Sequence, residues 1–323
     1  IDQVRFTNSG TESTMYAVRV ARSATGKMGI LKVEGGYHGS YDPFVVSAKP
    51  PLNLAGDAED PTPYIEPNLV PGDIYVVPYN NIDALEAMFE KNAKKIACFI
   101  VEPVLENLAI ILPDAGYLER VRELCDQYDV VLIFDEVKTG LTAGAHGASA
   151  RLGVKPDLIT LAKSIGGGLP LAAFGGKKKY MDFVTNGKMA HFGTFNGNPL
   201  AMAGVRAIDR ICSDQVLVDA EAMNLQALTR IGEVIDEYQL PAHTVGFGIK
   251  GCVTWSTTPV RNYRDYKATD FGVAEAHWLF ALNRGIITPP GLDEQWLISV
   301  AHGQTEIDML VEDFREFAKA IRA

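Results

Sequence analysis

The run Val130-Val131-Leu132-Ile133-Phe134-Asp135-Glu136 constrains this chain more than any other stretch. Branched and aromatic apolar residues in unbroken succession read as a strand buried on both faces, and such strands belong to parallel sheets covered by helices. An acidic pair at the carboxyl end of that strand needs a partner, because an unpaired buried charge is costly. A second apolar run, Asp157-Leu158-Ile159-Thr160-Leu161-Ala162, leads into Lys163, and Gly166, Gly167 and Gly168 follow. Lysine so near the end of an apolar strand is unusual on burial grounds.

The same alternation extends through residues 1–210. Strands are expected at 28–33, 73–77, 96–101, 130–135, 157–161 and 171–175, and helices at 11–25, 82–93, 114–128 and 198–212. That order predicts an α/β fold with a mainly parallel sheet and helices on both faces. Residues 48–72, rich in Pro, Asn and Asp, read as a long surface excursion. Beyond about 213 the order changes to a helix (214–238), a Gly-containing strand region (244–256), a helix (270–284), a short strand (296–300) and a last helix (304–321). The expected division is a large domain over 1–212 and a smaller α+β domain over 213–323.

Composition narrows the function. The chain has 323 residues, 47% of them hydrophobic, enough for a large core. The net charge of −10 is spread along the sequence without a basic run, which argues against nucleic acid as a partner. No 18-residue apolar run and no signal peptide are found, so the expectation is no membrane association and a cytoplasmic location. Cys98, Cys125, Cys212 and Cys252 are scattered, as reduced thiols are, and no zinc-ligand spacing or other metal site is expected. The chain opens on Ile1-Asp2-Gln3-Val4-Arg5-Phe6, without an initiator Met, as if already entering a packed element.

Asp135 and Lys163, 28 residues apart, suit pyridoxal phosphate chemistry. The lysine can form a Schiff base with the aldehyde, and the aspartate can keep the pyridine nitrogen protonated so that the ring withdraws electrons. Taken singly, each residue has a plainer reading: a structural ion pair or metal carboxylate for Asp135-Glu136, a lysine reaching the surface for Lys163. Ser9-Gly10-Thr11, ahead of the first helix, can cap it or bind an anion at its N-terminus. Gly35-Gly36-Tyr37-His38-Gly39 follows a strand end, where Tyr37 could lie on a flat cofactor and His38 hydrogen-bond nearby, or the glycines could simply make a turn. Asn107, after the strand ending at Glu102-Pro103, could donate to a phenolic oxygen, and residues 191–199 could supply a second phosphate contact or a capped helix start.

As a set these stretches resemble the class III aminotransferases of pyridoxal-phosphate fold type I, and within them the glutamate-1-semialdehyde aminomutase branch. The matching segments are VRFTNSGTES (4–13), GGYHGSYD (35–42), VEPVLENL (101–108), VLIFDEVKTG (131–140), LAKSIGGGLPLAAFGG (161–176) and GTFNGNPLAMAG (193–204). The resemblance implies that Lys163 carries the Schiff base and moves the proton between substrate and cofactor. It implies that Asp135 pairs with the pyridine nitrogen, that Val137 and Tyr37 cover the two ring faces, and that Ser9, Gly10 and Thr11 form a phosphate cup beside His38. Asn107 would neighbour the ring hydroxyl, Thr194 would reach the phosphate of a second subunit in a homodimer, and Glu294 would lie near the substrate amine.

Departures bear on the substrate. The family's further N-terminal segment, with an arginine for substrate carboxylate, has no counterpart here. Lys49-Pro50-Pro51-Leu52-Asn53 replaces a Gly-Ser-Gly stretch, Leu141-Thr142 replaces Phe-Arg, and no mobile arginine stands between Ile286 and Asp308. The expected activity is transfer of an amino group between an amine or amino acid and a keto acid or aldehyde. The alternatives are an aminomutase that returns the amine to the same molecule, and a truncated cofactor-binding remnant without turnover.

Overall fold

The computed structural model describes residues 1–289 and 295–322. Glu294 lies outside them. The chain forms two compact units, one of Ile1–Val104, Leu112–Leu141 and His146–Arg210, the other of Leu105–Ile111, Thr142–Ala145 and Ile211–Ala323.

The first unit is built on a seven-stranded sheet. Its strands are β1 (Gln3–Thr7), β2 (Gly29–Val33), β3 (Ile74–Val77), β4 (Ile96–Val101), β5 (Val131–Asp135), β6 (Leu158–Leu161) and β7 (Ala172–Gly176). They lie in the order β1-β7-β6-β5-β4-β2-β3. Pairing is parallel from β3 through β6, while β7 runs antiparallel to β6 and to β1. The expected mainly parallel sheet is present. Every residue of β2, β4 and β5 is buried, which is why β4 and the run up to Asp135 in β5 are apolar without alternation.

Helix α1 (Gly10–Thr25) covers this sheet. Its N-cap Ser9 accepts a hydrogen bond from Glu12 N at 3.2 Å, and Glu12 Oε2 reaches back to Asn8 N at 2.7 Å. The helix stops at Gly26, whose left-handed φ of 69° suits glycine. Ala17, Val18, Val20 and Ala21 are small or branched enough to bring α1 close to Ile30, Ile100, Ile133, Leu158 and Phe174, the centre of the core.

In the second unit β8 (His243–Phe247) and β9 (Lys250–Thr254) form a hairpin, with β10 (Trp296–Leu297) antiparallel to β9. The single strand region expected at 244–256 is therefore two strands, separated at Gly248 with φ 61°. Helix Asp214–Glu237 packs on β8, and helix Gln304–Arg322 packs on that helix. Asn224 joins the layers: its Nδ2 donates to Gly248 O at 2.9 Å and Lys250 O at 2.8 Å, and its Oδ1 accepts from Trp296 Nε1 at 2.7 Å.

Candidate active site

Within the first unit, the carboxyl ends of β2, β5 and β6 and the start of α1 carry the chemistry-bearing residues. Asp135 closes β5 and is 4% exposed. Its Oδ1 accepts from Val137 N at 3.0 Å and Thr160 Oγ1 at 3.1 Å, and its Oδ2 lies 2.8 Å from His38 Nδ1. The β5–β6 register sets Asp135 opposite Thr160, so the hydroxyl contact follows from strand pairing. A carboxylate only accepts, so His38 Nδ1 carries the proton and donates. Burial pushes the His38 pKa down, against the pull of Asp135. The neutral ring leaves Nε2 bare, and that atom is buried with no hydrogen-bond partner. With three donors on about four acceptor positions, the Asp135 carboxylate retains room for one more, on Oδ2.

The neighbouring acid has a different role. Glu136 accepts from Ala148 N at 2.6 Å and Ser149 N at 3.0 Å, so its carboxylate is taken up by the start of the next turn. Burial raises its pKa while those bonds oppose the rise.

The start of α1 stands against this group. A Cβ on Gly10 would lie 3.2 Å from both methyls of Val137, so the missing side chain permits the close approach. Ser9 Oγ is engaged in capping, and Thr11 Oγ1 accepts from Ser40 N at 3.2 Å. Thr14 Oγ1 donates to His38 O at 2.7 Å, which ties the Tyr37-His38-Gly39 loop to the helix. Tyr37 is 40% exposed, and its N–H donates to Glu102 Oε1 at 3.2 Å.

Lys163 follows Thr160 by three residues, in the 3₁₀ turn Lys163–Gly166, and is exposed. Its φ of 51° is left-handed. A non-glycine residue there carries strain on the order of 1 kcal/mol, and such strain gathers at functional sites. Thr194 is also exposed, between Phe192 and Phe195. Asn107 belongs to the second unit, in the segment Leu105–Ile111. Thr160 was not singled out from the sequence; a threonine inside the apolar run before Lys163 was the available signal.

These residues fit pyridoxal phosphate. The first turn of α1 suits an anion, Asp135 holds an open acceptor position for a pyridine N–H, and Lys163 presents an accessible primary amine. Among the described residues no cluster of His, Cys, Asp and Glu suits a metal ion, and no helix is long and apolar enough to cross a membrane.

Comparison with known proteins agrees on one family. The family model for class-III aminotransferases matches residues 1–259. The chain is 38% identical over 317 residues to a glutamate-1-semialdehyde 2,1-aminomutase of Francisella philomiragia, covering 96% of this chain and 72% of that protein. Among solved structures, an omega-transaminase from Sphaerobacter thermophilus superimposes with a TM-score of 0.92 at 29% identity, covering 100% of this chain and 75% of that one. A β-phenylalanine aminotransferase from Variovorax paradoxus gives a TM-score of 0.86 at 28% identity, covering 99% and 70%.

Proposed function

This chain belongs to the class-III aminotransferase family, whose cofactor is pyridoxal phosphate, and we propose that Lys163, Asp135 and the start of α1 form its active site. The observation that carries this reading is the Asp135 carboxylate. It is buried and held by three donors, retains one acceptor position, and closes the strand beside the one that leads to Lys163.

When bound, the cofactor supplies an aldehyde that condenses with primary amines and a protonated pyridine that draws electrons from the carbon bearing the amine. Lys163 Nζ anchors it. Free of that anchor, the same nitrogen would be the base that moves the proton held on the substrate α-carbon. Asp135 holds the proton on the pyridine nitrogen, while Thr160, Val137 N–H and His38 fix the carboxylate's orientation. Ser9, Gly10 and Thr11 bind the phosphate at the helix N-terminus. Val137 and Tyr37 exclude water from the ring faces.

The enzyme moves an amino group between an amine or amino acid and a keto acid or aldehyde. It works as a homodimer in the cytoplasm, with Thr194 of a second copy reaching the phosphate. Exposed Phe192 and Phe195 on either side of Thr194 support the dimer, and four free cysteines support a reducing compartment. An aminomutase is the second reading, favoured by the 38% identity to an enzyme of that name.

The test is the visible spectrum of the protein with pyridoxal phosphate, before and after a panel of amines. Conversion to the pyridoxamine form by several unrelated donors supports the transaminase. Conversion only by a diamino or amino-aldehyde acid, with the amine returned to the same molecule, supports the aminomutase. A cofactor that borohydride fixes on Lys163 but no amine discharges identifies a binding remnant. Absence of any Lys163-linked cofactor overturns the assignment.

A further inference from the structure

A buried amine lies behind the Tyr37-His38 loop, and none of the steps above uses it. Lys32 sits within β2 and is 0% exposed. Its Nζ donates to Phe44 O at 2.8 Å and Val46 O at 2.7 Å. Both carbonyls belong to the turn of helix Asp42–Val45 and the residue after it, just beyond the loop. The Phe44 ring, fully buried, stands edge-on to the His38 imidazole at 6.0 Å, and His38 bonds Asp135.

A lysine is a poor choice for a buried strand position unless its donors are needed there. An apolar side chain of equal length would fill the same space without desolvating an amine. Burial lowers the Lys32 pKa to about 7, with the Glu102 carboxylate opposing the drop. Either protonation state supplies the two N–H groups that the carbonyls at 44 and 46 receive. The amine is thus explained by the backbone it ties down.

We propose that Lys32 is a positioning residue for the active site: by tying the backbone at residues 44 and 46 it seats Phe44 against His38 and so fixes the His38 Nδ1–H on Asp135. The consequence for the cofactor rests on the reading of Asp135 given above. Among the described residues, the charged groups that act on this chain of contacts include Asp135 from β5, Glu102 just after β4, and Lys32 from β2. Lys32 and burial favour neutral imidazole at His38, and Asp135 favours the protonated form. A neutral ring with its proton on Nδ1 is the only form that serves Asp135 and leaves no N–H stranded at the unpartnered Nε2.

The test is nitrogen NMR of the histidine-labelled full chain, free and saturated with pyridoxal phosphate, together with cofactor titration. Wild type should show a single Nδ1–H tautomer for His38 that does not titrate across the neutral range. Lys32→Met is unbranched and one atom shorter, and it removes the donors. It should give a tautomer mixture, a titrating His38, and roughly tenfold weaker cofactor binding, the loss that outer hydrogen-bond partners produce in metal sites. Phe44→Leu leaves Lys32 and its backbone bonds in place and should change His38 in the same way; it also serves if Lys32→Met does not fold. A purely packing role would lower Tm in both variants without altering the tautomer, and an unchanged His38 spectrum in the folded variants overturns the proposal. If His38 responds to Lys32→Met but wild type binds no cofactor at Lys163, the positioning role stands and the assignment of Asp135 falls.

Discussion

Asp135 and Glu136 are adjacent acids with different hydrogen-bond partners, and the proposed active site uses only the first. Asp135→Asn replaces an acceptor-only group by one with a donating end. Whichever way the amide turns, its NH2 meets either Val137 N–H or the His38 Nδ1 side. The expected cost is about 1–3 kcal/mol of stability for the donor left unserved, read from a denaturant melt. The same change leaves a neutral partner for the pyridine nitrogen, so kcat should fall by about 10²-fold or more while cofactor remains bound. Glu136→Gln loses one of the bonds from Ala148 N and Ser149 N and should destabilise by a similar amount. Its folded enzyme should keep kcat. Equal loss of kcat in both variants would remove the distinction. The sequence shows both acids at the end of one apolar strand and cannot separate them, because the separation depends on which backbone N–H groups the fold brings to each carboxylate.

At the scale of elements, the site depends on a loop docked to a helix. Gly39 has φ 104°, and a Cβ there would come within 2.8 Å of Thr11 Cα. Gly39→Ala should push the Tyr37-His38 loop away from α1, break the bond from Thr14 to His38 O, and cost about 1–3 kcal/mol. Cofactor binding should weaken with it, and unchanged affinity in a folded Gly39→Ala protein would sink the docking argument. In the second unit, helix Phe271–Asn283 places His277 among Trp255, Phe314 and Phe317, and burial pushes its pKa down to about 4. Between the ordinary value of 6.5 and about 4 the unfolded chain takes a proton there that the folded chain refuses. Stability should therefore fall as pH drops through that window, and His277→Phe should flatten part of the slope of Tm against pH; identical slopes would exclude His277 as a source. The strands of the parallel sheet were legible because burial on both faces writes itself as unbroken apolar runs. Edge strand β1, with Gln3 and Arg5 alternating with Val4 and Phe6, was read only as a packed element, and helix Lys178–Thr185 was not expected at all. Asp135 and Lys163 were legible as polar residues where apolar runs stop. Thr160 and Lys32 were not, since one needs the register between two strands and the other needs the two carbonyls it meets across the fold.

For the molecule as a whole, the proposed homodimer centres on Thr194. Its segment is anchored, with the Tyr16 hydroxyl donating to Phe192 O at 3.1 Å, yet Phe192, Phe195 and Leu200 turn outward at 82%, 69% and 67% exposure. Large apolar side chains held outward on a fixed backbone are what an interface presents. Phe195 and Leu200 line a groove of about 400 Å³ that also touches Asn8, the residue before the cap of α1. A second copy filling that groove would come close to the proposed phosphate cup, where the proposed contact from Thr194 of that copy would fall. Cofactor affinity should then depend on protein concentration, which no single-chain site would show. Phe195→Asp should yield a folded monomer by sedimentation, with pyridoxal phosphate bound about 10–100-fold more weakly for loss of one hydroxyl bond to a charged group. Thr194→Val should weaken binding to the same degree while leaving the dimer intact, which separates the lost contact from the lost assembly. A monomeric Phe195→Asp protein that holds its cofactor as tightly as wild type would show that each chain completes its own phosphate site.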